Sequence, residues 1–518
     1  MDTNALAKHH YAYSTLNTFG KIAYLDSSVL TMDNISDCFL YKNIIEHIDV
    51  YTQFPNIDLS KYSTIVIPMH IDEVFLSRFS HRLYSHLNRG GIVISFANNF
   101  SHFLPYTSAY ITSETPIRDR EVKFVDSHAG KIIFEGVREY DINHRRGVKG
   151  FFNRGFFDMQ NFPKTHNLEI FLSDSDKQCV GYIDRDSSNG VILATAGADL
   201  LTFGLFDNTT ARKMGVNLLS WLEKELLAQK EASNKANKAN KANKQATQHT
   251  QIAQDTQATQ TANNKKLESK VVSDFGFYAQ DDLRNASHNA THNTSCTKTE
   301  TIGNAKNLHQ TPNKRFKNAI ITGGASYHHY FFLNKNKKYA HFFDARIYFH
   351  DLDSVDLGAF DYIVLASRIN ASHLMRYKEK FQDFLDSGGH IISFGEITQP
   401  YLPNIEWKDY PVNFWWWLIP GADMPLYVGK DGAKLFSKIN IDDAKWHCHG
   451  AFYPPKNAQI ILINELNESI IYKDTSFKGN LYITSLDPEF HLGQGFMPKT
   501  EGFFDNFMEW IHQDMAAN

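Results

Sequence analysis

Two stretches of the chain repeat the same pattern of apolar and polar positions. In the first stretch, an apolar run at 62–68 leads to a Gly-Gly strand at 89–98. In the second, an apolar run at 360–366 leads to a Gly-Gly strand at 387–396. The run and the Gly-Gly pair are equally far apart in both stretches, so the two align without a gap. This agreement predicts that the chain contains the same domain twice.

Each stretch alternates short apolar runs with longer amphipathic segments. The runs predicted as buried strands lie at 21–25, 64–68, 319–322 and 362–366, and the segments predicted as helices lie at 72–87 and 372–385. Strands that alternate with helices of this length are typical of parallel βαβ units covered by helices on both faces. The predicted fold class is α/β, with two doubly wound, mostly parallel sheets.

The repeat continues downstream with small insertions and deletions. Gly155 aligns with Gly450, and the predicted last strand of each copy begins at Gly190 or Gly479. Each copy then ends in an amphipathic helix that carries a tryptophan near its end, Trp221 or Trp510. The duplication therefore extends over most of both copies.

Between the copies the composition changes to Asn, Lys, Ala, Gln and Thr. Such a polar, low-complexity segment cannot bury enough apolar surface to offset the entropy of ordering it, so a disordered linker is predicted. A chain of 518 residues also exceeds the size of one hydrophobic core. The predicted domains are a degenerate first domain at 18–227, a linker at 228–313 and a second domain at 314–518.

Charge and cysteine usage restrict the function classes. A formal net charge of −4 gives no overall basic field for nucleic acid. The four cysteines have no CxxC spacing, which indicates a reducing compartment. No stretch approaches the roughly 20 apolar residues needed to span a bilayer. We therefore predict a cytoplasmic protein that binds neither nucleic acid nor membrane.

The order of a Gly-Gly strand, a turn and a last strand ending in Asp487-Pro488-Glu489 resembles the class I glutamine amidotransferase-like superfamily. The resemblance implies a flavodoxin-like fold, a nucleophilic cysteine in the turn and a histidine two residues before the final glutamate. Here the turns carry Ala97 and Gly395, and Asp487 stands at the position of the histidine. A thiolate and its base are both missing, so no glutaminase activity is expected.

A second resemblance is to the ThuA-like branch of that superfamily, which is linked to sugar metabolism and also lacks the cysteine. It depends on the first strand of the second copy running into Gly323-Gly324 and on the His-aromatic segment at 327–330. In open α/β sheets, ligands bind beyond the carboxyl ends of the strands, where this segment should lie. A structural role for the segment is an equal alternative.

The segment Trp446-His447-Cys448-His449-Gly450 has residue types that bind metals. In an extended segment His447 and His449 point to one face and Cys448 to the other, so at most two of the three share an ion. A third ligand could come from His491 or Glu489. Structural histidines are the preferred interpretation, and no metal or cofactor is predicted.

Three consecutive tryptophans form the densest aromatic cluster in the chain. They cannot all face one core, so at least one should lie at a surface, a pocket or an interface. Stacking on a ligand and packing against the other domain are both consistent with this pattern.

These observations predict a non-catalytic ligand-binding or scaffolding protein whose site lies in the second domain. Its partner would be a small-molecule or carbohydrate-like ligand, a protein or a second copy of the chain. The alternatives are a hydrolase or lyase acting on a carbohydrate-like molecule, with Glu396 or Glu489 as acid or base, and a pure interaction protein. The predicted ligand-binding residues are Glu396, Trp415, Trp416, Trp417, His449, Glu489 and His491.

Overall fold

A computed structural model describes the chain over residues 15–27, 35, 38, 40–150, 153–162, 167–206, 208–235, 316–333, 338–411, 415–495 and 497–517. Contacts divide the chain into two compact units, one formed by Met1–Trp221 with Thr299–Asn518 and the other by Leu222–Lys298. Within the first unit we call the residues up to 221 the first half and those from 316 the second half. The second unit is described only at 222–235, which is helical.

The first half is built on an eight-stranded sheet. Four parallel strands in the order β2-β1-β3-β4 are followed by β12, also parallel, and then by β11, β10 and β6, each antiparallel to its neighbour. The strands of this half are β1 (Lys21–Asp26), β2 (Ile45–Asp49), β3 (Tyr62–Ile67), β4 (Ile92–Ser95), β5 (Ile111–Thr112), β6 (Val122–Phe124), β7 (His144–Arg145), β8 (Val148–Lys149), β9 (Gly155–Phe156), β10 (Glu169–Asp174), β11 (Cys179–Asp184) and β12 (Val191–Thr195). The pairs β5–β9 and β7–β8 form two small separate sheets.

The second half has a ten-stranded sheet with the same central arrangement. Parallel strands in the order β14-β13-β15-β16-β22 continue into the antiparallel strands β21, β19 and β17, while β20 pairs with β21 and β18. Its strands are β13 (Asn318–Thr322), β14 (Ala345–Tyr348), β15 (Tyr362–Leu365), β16 (His390–Phe394), β17 (Trp407–Asp409), β18 (Leu426–Val428), β19 (Gly450–Phe452), β20 (Gln459–Asn464), β21 (Ser469–Asp474) and β22 (Leu481–Thr484). The predicted class is confirmed: two mostly parallel sheets in separate regions of an α/β chain.

Helices alternate with the strands along the chain. They are α1 (Glu73–Ser77), α2 (Ser80–Asn88), α3 (His128–Ile133), α4 (Glu139–Asn143), α5 (209–235), α6 (Ser326–Phe331), α7 (Lys338–Phe342), α8 (Ala371–Leu374), α9 (Lys378–Ser387), α10 (Ala433–Phe436), α11 (Pro488–Gln494) and α12 (Lys499–Ala517). The single helices predicted at 72–87 and 372–385 are both interrupted. The first breaks at Phe79, whose φ of −121° and ψ of 18° leave the helical range. The second passes through a 3₁₀ turn at Met375–Tyr377.

The Gly-Gly pair that reveals the repeat has a packing reason. Gly388 ends α9 with a φ of +107°, a left-handed conformation that favours glycine. At Gly389 an added Cβ would overlap the ring of Phe384. Gly90 has a φ of +89°, and a Cβ on Gly91 would overlap the ring of His86 in the same way. Each pair lets the chain leave a helix through a sharp turn. The chain then continues as a central strand, close to the last turn of that helix.

The two halves contact each other through the carboxyl ends of their strands. After β3, the backbone N–H of Glu73 donates to the carbonyl of Gly324, which follows β13 (2.9 Å). In the opposite sense, the side-chain amide of Asn370, which follows β15, donates to the carbonyl of Ser27, which follows β1 (3.1 Å). Phe100 stacks on His329 with ring centroids 4.1 Å apart. The edges at which open α/β sheets place ligands therefore face each other.

Two predictions concern regions that are only partly described. Residues 228–235, the start of the linker predicted at 228–313, are helical and belong to α5, so this part is not disordered as predicted. From residue 236 onward the predicted linker lies outside the described residues, and its conformation there stays a prediction. Among the residues that the structure describes, no helix is long and apolar enough to cross a membrane.

Candidate functional site

A cluster of ionisable side chains lies at the carboxyl edge of the second sheet. Arg368 follows β15, Glu396 follows β16 and Asp487 follows β22, so parallel strands bring their ends to one place. His449 immediately precedes β19. Their side chains are between 1 % and 9 % exposed, which makes this a buried centre.

Arg368 contacts the other three residues of the cluster. Its Nη2 donates to Asp487 Oδ2 (2.7 Å), and its Nη1 lies 3.6 Å from Glu396 Oε1. The guanidinium also lies over the ring of Phe490, 4.0 Å from the centroid. Its backbone has a φ of +59°, which is uncommon for a residue with a side chain. Burial opposes the charge, but Glu396 and Asp487 outweigh it and raise the pKa of Arg368.

His449 connects Arg368 to Glu396. Its Nε2 lies 3.1 Å from Arg368 Nη2 and its Nδ1 lies 3.1 Å from Glu396 Oε1. Arginine carries only donors, so Nε2 accepts and the proton resides on Nδ1, from which it is donated to the carboxylate. Burial lowers the pKa of His449, and Arg368 adds to this while Glu396 opposes it. The geometry therefore fixes one neutral tautomer.

Asp487 has two further contacts, one of which is a hydrogen bond. Trp446 Nε1 donates to its Oδ1 (3.0 Å), and His491 Nε2 lies 3.3 Å from the same oxygen. Burial favours the protonated carboxyl, but His491 and Arg368 outweigh it and hold the pKa of Asp487 well below its usual range. Asp487 is therefore a carboxylate.

Glu489 lies beside the cluster and contacts its backbone. Its Oε1 accepts from the backbone N–H of Ser367 (2.6 Å), the residue before Arg368. Burial raises the pKa of Glu489 to about 7, with Asp487 adding to the rise and the Ser367 hydrogen bond opposing it. In the structure Glu489 fixes the backbone turn that carries Arg368.

The three tryptophans have different surroundings, and one of them lies at the surface, as the pattern predicts. Trp415 is buried and lies beneath the guanidinium groups of Arg145 and Arg146 from the first half, at 5.4 and 5.7 Å. Trp416 donates from Nε1 to the carbonyl of Trp446 (2.7 Å), which ties this segment to the cluster. Trp417 is 46 % exposed. Trp415 thus contacts the other half.

The first half lacks a matching cluster at the aligned positions. Asn98 stands in place of Glu396 and donates from Nδ2 to the carbonyl of Tyr110 (3.0 Å). His70 stands in place of Arg368 and Arg154 in place of His449. Burial lowers the pKa of Arg154 to about 10. At the positions aligned with Glu396, Arg368 and His449, the first half therefore carries no carboxylate.

Cys448 directly precedes His449 of the cluster in the chain. It is buried, and burial raises its pKa to about 12, with a smaller opposing contribution from Ser485. Its thiolate is therefore not accessible near neutral pH. The turn after β16 offers no thiol either, because it carries Gly395 at the position where the amidotransferase-like superfamily has its cysteine.

Of the seven predicted site residues, Glu396, His449 and His491 lie in one connected cluster, and Glu489 supports its backbone. Sequence reasoning missed Arg368, Trp446 and the role of Asp487 as an acceptor. Arg368 had a detectable signal: a cation placed directly after a fully apolar strand, at the edge where parallel strands end. Trp446 had none, because its contact with Asp487 joins residues far apart in sequence.

No protein family model and no curated protein matches the sequence. Among solved structures, the chain is similar to a glutamine amidotransferase from Thermotoga maritima, with 14 % sequence identity and a TM-score of 0.27. The alignment covers 40 % of this chain and 98 % of that one. We derive the chemistry of the site from its own residues.

Proposed function

We propose that the protein is a non-catalytic scaffolding protein built from two degenerate amidotransferase-like halves that arose by tandem duplication. The observation that carries the proposal is the contact between Glu73 and Gly324, which closes the carboxyl edge of each sheet against the other. An open α/β fold uses that edge to bind and transform ligands. In this chain each half covers the edge at which its neighbour would bind a ligand.

The shared order of five parallel strands supports the duplication, because β2-β1-β3-β4-β12 in the first half and β14-β13-β15-β16-β22 in the second have the same order and direction.

The missing thiol supports the absence of catalysis. The turn after β4 carries Ala97 and the turn after β16 carries Gly395. Neither provides the nucleophile that an amidotransferase mechanism needs.

The packing between the halves supports a scaffold. His70 of the first half packs against Tyr327 and Phe490 of the second, with ring centroids 5.5 and 6.0 Å apart. Gly324 has no room for a side chain, since an added Cβ would overlap Asp72 Oδ1. Residues this closely fitted favour a fixed association of the halves over a cleft that opens.

Cleavage of the linker tests the association. Limited proteolysis of the full chain within 236–315 should give two fragments that elute together in size-exclusion chromatography. Gly324→Ala should separate them after cleavage, because its Cβ forces Asp72 away. Gly502→Ala is the matched control, since no atom lies within 4 Å of a Cβ there. Fragments that separate without any substitution, each with intact circular dichroism, would refute the scaffold.

A second candidate is a hydrolase or lyase acting on a carbohydrate-like molecule. The contact between Glu396 Oε1 and His449 Nδ1 (3.1 Å) favours it, because such a pair can move a proton. Turnover of p-nitrophenyl glycosides by the full chain, abolished by Glu396→Gln, would support this candidate. The scaffold proposal expects no turnover from either protein.

The scaffold proposal includes a cytoplasmic location and a partner. The scattered cysteines support the location. The partner is a second copy, another protein or a small carbohydrate-like ligand. Light scattering of the purified chain separates the first of these from the others, because a second copy doubles the mass of 59.3 kDa.

A further inference from the structure

Three buried side chains of the second half form a set of metal-ligand donors. They are His447, Asp487 and His491, and one ligand atom from each lies within 4.8 Å of those of the other two. All three residues are at most 4 % exposed. The set brings together two imidazoles and one carboxylate from two separate segments of the chain.

The fold brings these donors together in a simple way. Asp487 immediately precedes α11 and His491 lies four residues later, so the two face the same side of the helix. His447 comes from the segment before β19, and its ring lies 4.9 Å from that of His491, centroid to centroid, at 78°. The two imidazoles are therefore close and differently oriented, as ligands around one ion must be.

Groups around the donors hold the carboxylate in place. Trp446 Nε1 and Arg368 Nη2 donate to the two oxygens of Asp487, at 3.0 and 2.7 Å. Such outer hydrogen bonds orient metal ligands and tune their affinity. His449 lies beside His447, but both of its ring nitrogens contact Arg368 or Glu396. Three protein donors would thus leave a fourth position for water.

The charge of the cluster also suits a cation. One guanidinium, that of Arg368, faces two carboxylates, those of Glu396 and Asp487. Burying charge without compensation is costly. These three groups carry a net negative charge, which attracts a cation beside Asp487, and two imidazoles with one carboxylate are donors that Zn²⁺ and similar ions accept.

We propose that His447, Asp487 and His491 bind one divalent transition-metal ion of the zinc class. The ion would join the segment before β19 to the helix after β22. The inference goes beyond the scaffold function and does not depend on it, because all three ligands belong to the second half.

The test uses the full chain, stripped with a chelator and then titrated with Zn²⁺ by calorimetry in the presence of a competing chelator. The expected result is one tightly bound Zn²⁺ for each chain, and Co²⁺ in its place should give visible d–d absorption. His447→Ala and His491→Ala should weaken this binding more than ~100-fold, beyond the ~10–100-fold expected for an outer contact. Trp446→Phe should fall within that smaller range.

His341→Ala, an exposed histidine on α7, is the matched control and should leave the affinity unchanged. His447→Gln and His491→Gln, which keep more of the volume, serve if an alanine variant fails to fold by circular dichroism. Absence of stoichiometric Zn²⁺ binding would overturn the proposal. Binding that persists in all ligand variants would also overturn it, because the ion would then be held by other histidines of the chain.

Discussion

The carboxylate of Asp72 in the first half accepts a hydrogen bond of 2.9 Å from the hydroxyl of Tyr348 in the second half. The same oxygen accepts from Tyr51 (3.0 Å), while the other oxygen caps α1 through the N–H of Phe75 (2.8 Å). Asp72 is 1 % exposed, so these donors replace the water that it loses. One side chain thus starts a helix in one half and binds the other half.

Asp72→Ala should destabilise the protein by about 3 kcal/mol. It removes a helix cap, worth about 1 kcal/mol, and leaves two buried hydroxyls without their acceptor. Urea unfolding of the full chain measures the change. Asp58→Ala is the control, since Asp58 caps an exposed 3₁₀ turn within the first half and should cost no more than about 1 kcal/mol. Equal losses in the two variants would contradict a special role for Asp72.

The purified protein should release no ammonia from glutamine, because neither turn carries a thiol and burial raises the pKa of Cys448 to about 12. Introducing the thiol should not restore the activity. In Gly395→Cys the backbone φ of +78° is unfavourable, and the new Cβ would lie 2.5 Å from Ser367 Cβ. We expect a lower melting temperature and still no ammonia in a coupled dehydrogenase assay. Ammonia release that is lost on alkylation of Cys448 would refute this prediction.

The sequence predicted the elements that depend on local pattern. The strands β3 and β15 and the Gly-Gly pairs appear where they were predicted, because continuous apolar runs and helix ends are encoded by neighbouring residues. The breaks within the two predicted helices were missed, since an apolar stripe continues across them. Contacts such as Asp72 with Tyr348 join residues from different halves, and no short-range pattern records them.

In the candidate site too, some features could be predicted from the local pattern and others could not. Glu396 and His449 could be placed near each other because both adjoin strands of one sheet. The importance of Arg368 could not be inferred in the same way, since it depends on a left-handed backbone turn and on the distances to two carboxylates. Nothing in the sequence indicated that the carboxylate of Glu489 accepts from the backbone N–H of Ser367; its predicted contact with a ligand stays a prediction. Side-chain direction at a helix start is set by tertiary contacts.

Acid should weaken the association between the halves through His70. Burial lowers its pKa to about 3, and Arg154 and Arg368 add to this. In the unfolded chain the pKa is about 6.5, so the stabilising contribution of neutral His70 is complete above that pH and falls as the pH drops below it, by at most about 1.4 kcal/mol for each unit. Fragments cleaved in the linker should therefore elute together at pH 7 and separate more readily at pH 5.

Two substitutions identify the histidine responsible. His70→Gln removes the titrating group and should make the association less sensitive to pH. His81→Gln, at an exposed position on α2, should leave the pH dependence unchanged. The same acid response in the protein and in His70→Gln would assign the effect to other buried histidines.

Glu73 should give the opposite pH dependence. It is fully buried, its Oε1 accepts from the N–H of Asn98 (2.9 Å), and burial raises its pKa to about 8 against the opposing hydrogen bond. Because the folded pKa lies above the unfolded value of 4.5, the folded state prefers the protonated carboxyl. The stabilising contribution of Glu73 is therefore greatest below pH 4.5 and is lost as the pH rises toward 8, by at most about 1.4 kcal/mol for each unit. Glu73→Gln keeps the acceptor and removes the titration. The unfolding free energy of the variant should therefore exceed that of the unmodified protein by a growing amount from pH 5 to 8.

Glu139→Gln is the control for Glu73→Gln, because Glu139 also accepts a backbone N–H but its side chain is 41 % exposed. A constant difference between the protein and Glu73→Gln across this range would show that Glu73 ionises in the folded state as it does in the unfolded chain.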